Sequence, residues 1–168
     1  VFYAAGGVPS PLGMLHLTQS VIEHGDVGGN EAGDQFGFSL AAGDVDGDGY
    51  DDLVVGAPYE DVPDLFGNCV GAECSDVGVA HLVHGSATGL DRLDSAMFEV
   101  QTDWDSDFHF GYAVAVGLLS NDGFADIAIG SPGAKDGGLA RYGRVDVFLG
   151  DPISVPQRNS AWQIDFPS

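Results

Sequence analysis

The chain has 168 residues and a net charge of −21, with five Lys and Arg against 26 Asp and Glu. So few cations cannot neutralise phosphates, which excludes nucleic-acid binding and docking onto anionic membranes. No stretch reaches the ~20 apolar residues of a membrane-spanning helix, while 44% hydrophobic residues and 26 glycines suit a packed, turn-rich all-β protein.

The chain opens on Val1-Phe2-Tyr3 without an initiator Met, which suggests a processed or excised piece of a longer protein. Val1-Phe2-Tyr3 reads as the end of one strand, and Met14-Leu15-His16-Leu17-Thr18-Gln19 as the next. Phe36-Gly37-Phe38-Ser39-Leu40-Ala41-Ala42-Gly43 is a strand with apolar positions, and Leu53-Val54-Val55-Gly56-Ala57 another, ended by Pro58. Cys69 and Cys74 follow in a Gly-rich stretch, and their spacing suits a small disulfide-closed loop in an oxidising compartment. Two cysteines without a flanking His do not make a zinc site. Gly78–Gly85 and Ala96–Gln101 complete a set of four strands.

The set then repeats. Phe110–Gly117 matches Phe36–Gly43, and Ile127–Pro132 matches Leu53–Pro58, both at an offset of 74. Gly143–Gly150 matches Gly78–Gly85 at an offset of 65, so the first copy carries nine extra residues in the cysteine segment. Ala161–Phe166 is the last strand. Each copy has four short strands separated by turns, the pattern of a β-propeller blade. The expected fold is therefore all-β, a partial propeller of about two and a half blades of four antiparallel strands. Residues 1–20 are the tail strands of a preceding blade, 21–101 the first blade with the cysteine insertion, and 102–168 the second. Gly37 and Gly111 each follow an aromatic residue, where a close backbone approach is expected.

The chemistry lies between the first two strands of the first copy. Asp44, Asp46, Asp48 and Asp52 stand at loop positions 1, 3, 5 and 9, with the carbonyl of Tyr50 at position 7. Such a set of oxygens surrounds a hard cation that takes 6–8 ligands, which is calcium rather than the stricter magnesium. Four carboxylates this close repel one another without a cation, so binding contributes to folding. An EF-hand needs Glu at position 12 and flanking helices, whereas position 12 here is Val55 and the flanks are strands. The rival to a metal site is a plain Asp/Gly-rich turn. In the second copy only Asp122 and Asp126 remain, with Leu118 and Ser120 at positions 1 and 3. That loop is expected to rest on side-chain-to-backbone hydrogen bonds, with weak or no calcium. Asp103-Trp104-Asp105-Ser106-Asp107 also alternates but lacks the glycine and the following strand, and is expected to solvate a connection between blades.

Phe36-Gly37, the Asp44–Asp52 loop and Gly56-Ala57-Pro58 resemble the FG-GAP repeat, and Phe110-Gly111 with Gly130-Ser131-Pro132 is similar with one substitution. The resemblance implies the blades of integrin α-subunit propellers, with Asp44, Asp46, Asp48 and Asp52 as side-chain ligands of Ca2+ and Tyr50 as a carbonyl ligand. No integrin-specific feature accompanies the repeat, so the resemblance favours a bacterial-type extracellular member of the family over an integrin.

The leading functional expectation is a calcium-stabilised structural, adhesion or recognition module outside the cell, secreted or on the cell surface. Its partners would be other blades, copies of the chain, or a protein or carbohydrate ligand. Alternatives are a building block of a polymer or multi-chain propeller, and a non-catalytic propeller beside a secreted hydrolase. No enzyme is expected: no G-x-S-x-G occurs, and His16, His24, His81, His84 and His109 neighbour no nucleophile pattern. They read as ordinary strand and surface histidines, with His81 and His84 on opposite faces of one strand.

Overall fold

The computed structural model describes residues 2–5, 8–21, 31–63, 73–93, 95–98, 106–135, 141–151 and 162–163. In chain order the strands are β1 (Phe2–Ala5), β2 (Val8–Met14), β3 (Ser39–Gly43), β4 (Asp52–Ala57), β5 (Val62–Pro63) and β6 (Glu73–Cys74). Then come β7 (Val79–Val83), β8 (Ser95–Phe98), β9 (Ala113–Gly117), β10 (Asp126–Ser131), β11 (Arg144–Phe148) and β12 (Trp162–Gln163). Two four-stranded antiparallel sheets, ordered β3-β4-β7-β8 and β9-β10-β11-β12, are the two blades. The nine-residue excess of the first copy falls in a small two-stranded pair, β5–β6. Cys69 lies outside the described residues, and with it the expected disulfide.

The β-branched runs occupy the middle of each blade. Every residue of β7 is buried, as are all of β4 except Leu53. Strands covered on both faces read as continuous apolar runs rather than alternating ones. β3 and β9 alternate between half-buried and exposed, because each is the edge strand of its blade and the two lie side by side. Leu40 in β3 and Phe38 just before it, read from the sequence as apolar strand positions, are 60% and 43% exposed. Phe38 instead packs on Tyr112 and Tyr59 at the surface.

The leading half unit is a β1–β2 pair, but its second strand is Val8–Met14 rather than Met14–Gln19. The register pairs Phe2 with Met14 and Ala4 with Pro9, so a bulge takes up the extra residues and the ladder ends at Met14. Gln19 turns inward in a short 3-10 segment, and its side-chain amide donates to the buried Glu60 carboxyl.

Main chain meets main chain where the two blades join. Phe110 N donates to Val77 O at 2.8 Å, and the Ser39 hydroxyl donates to Gly111 O at 2.6 Å. A Cβ on Gly56 would stand 2.0 Å from Gly111 O, and one on Gly111 2.4 Å from Val79 O. The close approach expected at Gly111 is real. At Gly37 none is seen among the described residues: its φ is +92°, and none of their atoms lies within 4 Å of a Cβ there. A single core, including Val54, Leu82, Phe98, Phe110, Ile129 and Phe148, runs through both blades.

Candidate metal centre

The loop from β3 to β4 is folded by its own carboxylates. Asp46 Oδ1 accepts from Asp48 N at 3.0 Å, Asp48 Oδ1 from Tyr50 N at 2.8 Å, and Asp44 Oδ2 from Gly49 N at 3.0 Å. Each acid spends one oxygen on a backbone N–H a few residues ahead, the local bonding that favours Asp in tight turns. Gly47 and Gly49 supply the left-handed bends, with φ of +76° and +91°. The outcome is that Asp44, Asp46 and Asp48 each bring a carboxylate oxygen within 4.8 Å of the other two.

Asp44 Oδ1 is buried and has no hydrogen-bond partner among the described residues. A buried carboxylate oxygen without a donor is costly unless a cation faces it. The residues present therefore fit a hard cation bound by Asp44, Asp46 and Asp48. Tyr50 enters the loop through its backbone, and the residue is 44% exposed.

Asp52 stands apart from the three exposed-side acids. It is fully buried at the start of β4, with Oδ2 accepting from Val45 N at 2.9 Å and Oδ1 from Gly85 N at 2.8 Å. Burial alone opposes its ionisation, but the His84 side chain and the Gly85 and Val45 N–H groups outweigh it and hold the carboxyl below the usual range. His84 Nδ1 lies 3.4 Å from both Asp46 Oδ2 and Asp52 Oδ1, so Asp46, Asp52 and His84 form a second group of converging ligand atoms. Asp46 belongs to both groups. Its carboxyl is raised, first by desolvation and then by Asp52 and Asp48, with the Asp48 N–H and His84 opposing.

His84 is neither a surface nor an ordinary strand histidine, contrary to the reading of the sequence. It is 8% exposed and faces the loop. The signal was in the strand register: Leu53 pairs with Val83, so the next rung sets His84 across from Asp52. His81 does point elsewhere, fully buried with its ring 5.6 Å from that of Phe36.

The repeat model that matches this chain is the FG-GAP repeat, over residues 36–72 and 110–148, each beginning at the Phe-Gly pair before a loop of this kind. This chain belongs to the FG-GAP repeat family. It is similar to integrin alpha-PS2 of Drosophila melanogaster, 38% identical over 76% of the chain and 9% of that protein. It is also similar to integrin alpha-5 of Xenopus laevis, 32% identical over 79% of the chain and 12% of that protein. A third relative is the phosphatidylinositol-glycan-specific phospholipase D of Rattus norvegicus, 32% identical over 69% of the chain and 13% of that protein. The chain thus spans about a tenth of the length of these relatives.

The second FG-GAP loop keeps the brace and loses the acid cluster. Asp126, fully buried, accepts from Leu119 N at 2.8 Å, Ser120 N at 2.5 Å and Gly150 N at 3.1 Å. These repeat the Asp52 contacts to Val45 and Gly85. Asp122 Oδ1 accepts from Phe124 N at 3.0 Å, as Asp48 does from Tyr50. The expected hold by side-chain-to-backbone bonds is present.

Among the described residues, a further cluster of possible ligand atoms was missed by the sequence reading. Asp76, Asp107 and His109 converge at the opposite end of the blade junction, with Asp76 distant in the chain from the other two. Asp107 is not merely solvating a connection: its Oδ2 pairs with Arg141 Nη2 at 2.9 Å, and its N–H donates to Ser75 O. The guanidinium already supplies the positive charge there.

Proposed function

We propose that this chain is a calcium-braced FG-GAP propeller segment that serves outside the cell as a structural and recognition module. Asp44, Asp46 and Asp48 would hold the ion by carboxylate, Tyr50 by its carbonyl and Asp52 from the buried side, an all-oxygen set suited to calcium. The observation that carries the reading is the buried Asp44 Oδ1, without a partner among the described residues, amid converging carboxylates.

The position of the loop gives the ion a job. The Asp44 carbonyl accepts from Ala125 N of the second blade at 3.1 Å. A Cβ on Gly47 would stand 2.3 Å from the Phe124 ring, and one on Gly150 2.7 Å from Val45 O. Three points of this loop thus form the lower seam between the blades. Calcium would fix the loop that the next blade rests on. The net charge of −21 would also be partly relieved.

The test is thermal unfolding with calcium and with a chelator, alongside calorimetric titration. Calcium at a hundredfold excess over its Kd stabilises by about 2.7 kcal/mol, a rise of several degrees in Tm. An unchanged Tm on chelation, with no heat of binding, removes the metal from the account.

The extracellular setting rests on the integrin likeness, and the recognition role on loops held rigidly by blades. The module is proposed to be non-catalytic, with a protein or carbohydrate ligand and no nucleic acid. The match to a phosphatidylinositol-glycan-specific phospholipase D favours one second reading, an accessory propeller beside a hydrolase domain. Assayed alone, the chain should then cleave no phosphoester.

A further inference from the structure

His84 is not a residue that the two units share. At the offset of 65 that matches Gly78–Gly85 to Gly143–Gly150, its place in the second unit is held by Leu149. The pairing of Leu53 with Val83 sets His84 across from Asp52, and the pairing of Ile127 with Phe148 sets Leu149 across from Asp126. The two buried aspartates accept the same backbone N–H groups, Asp52 from Val45 and Gly85, Asp126 from Leu119 and Gly150. The brace is therefore built in the second unit with leucine where the first has an imidazole.

What His84 adds is a nitrogen among carboxylate oxygens. Its Nδ1 lies 3.4 Å from Asp46 Oδ2 and 3.4 Å from Asp52 Oδ1. A charge-assisted N–H···O bond to one of them would be about 2.7–2.9 Å long. Equal and longer separations belong to ligands arranged round a shared centre. Zinc, bound by imidazole and carboxylate at about 2.0–2.2 Å, holds tetrahedral ligands about 3.3–3.6 Å apart. The three ligand atoms all lie within 4.8 Å of one another.

The donors come from three parts of the fold and are held there. Asp52 is fully buried at the start of β4, and His84, just past β7, is 8% exposed. Asp46 Oδ1 is tied to Asp48 N, while Oδ2 faces His84. Backbone N–H groups on a ligating carboxylate orient it without using it up, since each oxygen has a second lone pair. An ion reaches the three from the side of Asp46, whose side chain is 30% exposed.

We propose that Asp46, Asp52 and His84 form a second metal site, one for a divalent cation of the zinc class. Calcium takes oxygen ligands, whereas imidazole suits zinc, copper and nickel. Two carboxylates and a neutral imidazole carry a charge that such an ion balances, and three protein ligands leave one tetrahedral position for water. Asp46 and Asp52 are also assigned to calcium above, but this inference rests on the three residues alone and not on calcium being bound.

The test titrates the full chain with zinc by calorimetry in calcium-free buffer. Cobalt(II) absorption serves as a second probe, and side-chain 15N spectra of the histidines locate the ion. Zinc should shift the His84 Nδ1 resonance. His84→Leu, the residue of the second unit, should weaken zinc by at least ~100-fold, beyond what loss of an outer partner costs, and remove the cobalt bands. His84→Gln takes its place if the leucine variant does not fold. Asp44→Asn should leave zinc binding intact, and so should His109→Asn, which disrupts the Asp76, Asp107 and His109 group. A still His84 Nδ1 resonance, zinc binding that survives the loss of His84, or zinc binding lost with Asp44 or His109 overturns the proposal. Calcium titration of the same samples tests the calcium reading separately: zinc held through His84 by a chain that takes no calcium upholds this site and removes the other.

Discussion

Replacing Gly47 by alanine separates what the loop needs from what the seam needs. Gly47 and Gly49 both hold left-handed backbone, at φ +76° and +91°. An alanine in that region costs about 1–2 kcal/mol whatever surrounds it. At Gly49 no atom of the described residues lies within 4 Å of the new methyl, so that is the whole expected loss. At Gly47 the methyl would stand 2.3 Å from Phe124 Cε1 and 2.7 Å from Cδ1, so the ring must leave its place over the loop. Forcing such an overlap in a packed contact adds about 1–3 kcal/mol. Gly47→Ala is therefore expected to destabilise by about 2–5 kcal/mol and Gly49→Ala by about 1–2. Urea unfolding at saturating calcium measures both, and the same pair in a Phe124→Ala background should differ by less than ~0.5 kcal/mol. Equal losses for the two glycines in the native background, or a gap that persists without the Phe124 ring, would refute the seam as described.

Three other outcomes are expected. Glu60 is 1% exposed, and burial first, then Asp34, Glu31 and Asp61, raise its carboxyl from 4.5 to about 7 against the Gln19 hydrogen bond. A folded-state value above the unfolded one favours the folded chain at low pH, so this contribution is full below pH 4.5 and fades as pH rises to about 7. Glu60→Gln should then be the more stable protein at pH 8, by no more than about 3 kcal/mol, with the difference shrinking toward pH 5 in parallel urea titrations. Asp44→Asn should weaken calcium at least ~10-fold by calorimetry while leaving the chelated protein's stability within ~0.5 kcal/mol. Asp126→Ala should behave oppositely, costing about 3–5 kcal/mol with or without calcium, because three backbone N–H groups lose their acceptor.

The blades were legible because the unit repeats, and because Pro58 and Pro132 close the second strand in both copies, where β4 and β10 end. The acid cluster of the first loop was legible too, since Asp44, Asp46 and Asp48 alternate through a glycine-rich turn. What escaped needed contacts across the chain. His84 reaches the loop only through the pairing of β4 with β7. Asp52 looks like one more acid in a row, yet its burial against Val45 and Gly85 makes it a brace as well. Phe38 and Leu40 have strand composition and still face outward, because composition does not say which strand is an edge. The hairpin at 1–14 was misplaced by a bulge, which leaves no mark on hydrophobic alternation.

At Gly56, Gly111, Gly78 and Gly150 the two sheets touch through carbonyls and amides. Such an arrangement uncouples the angle between sheets from the identity of most residues on them. Side chains elsewhere can be exchanged over evolutionary time without changing how the units stack, while a single methyl group at Gly56 would block the stacking outright. Variation should therefore collect on the exposed rims and loops, with the stacking of the two sheets passed on intact.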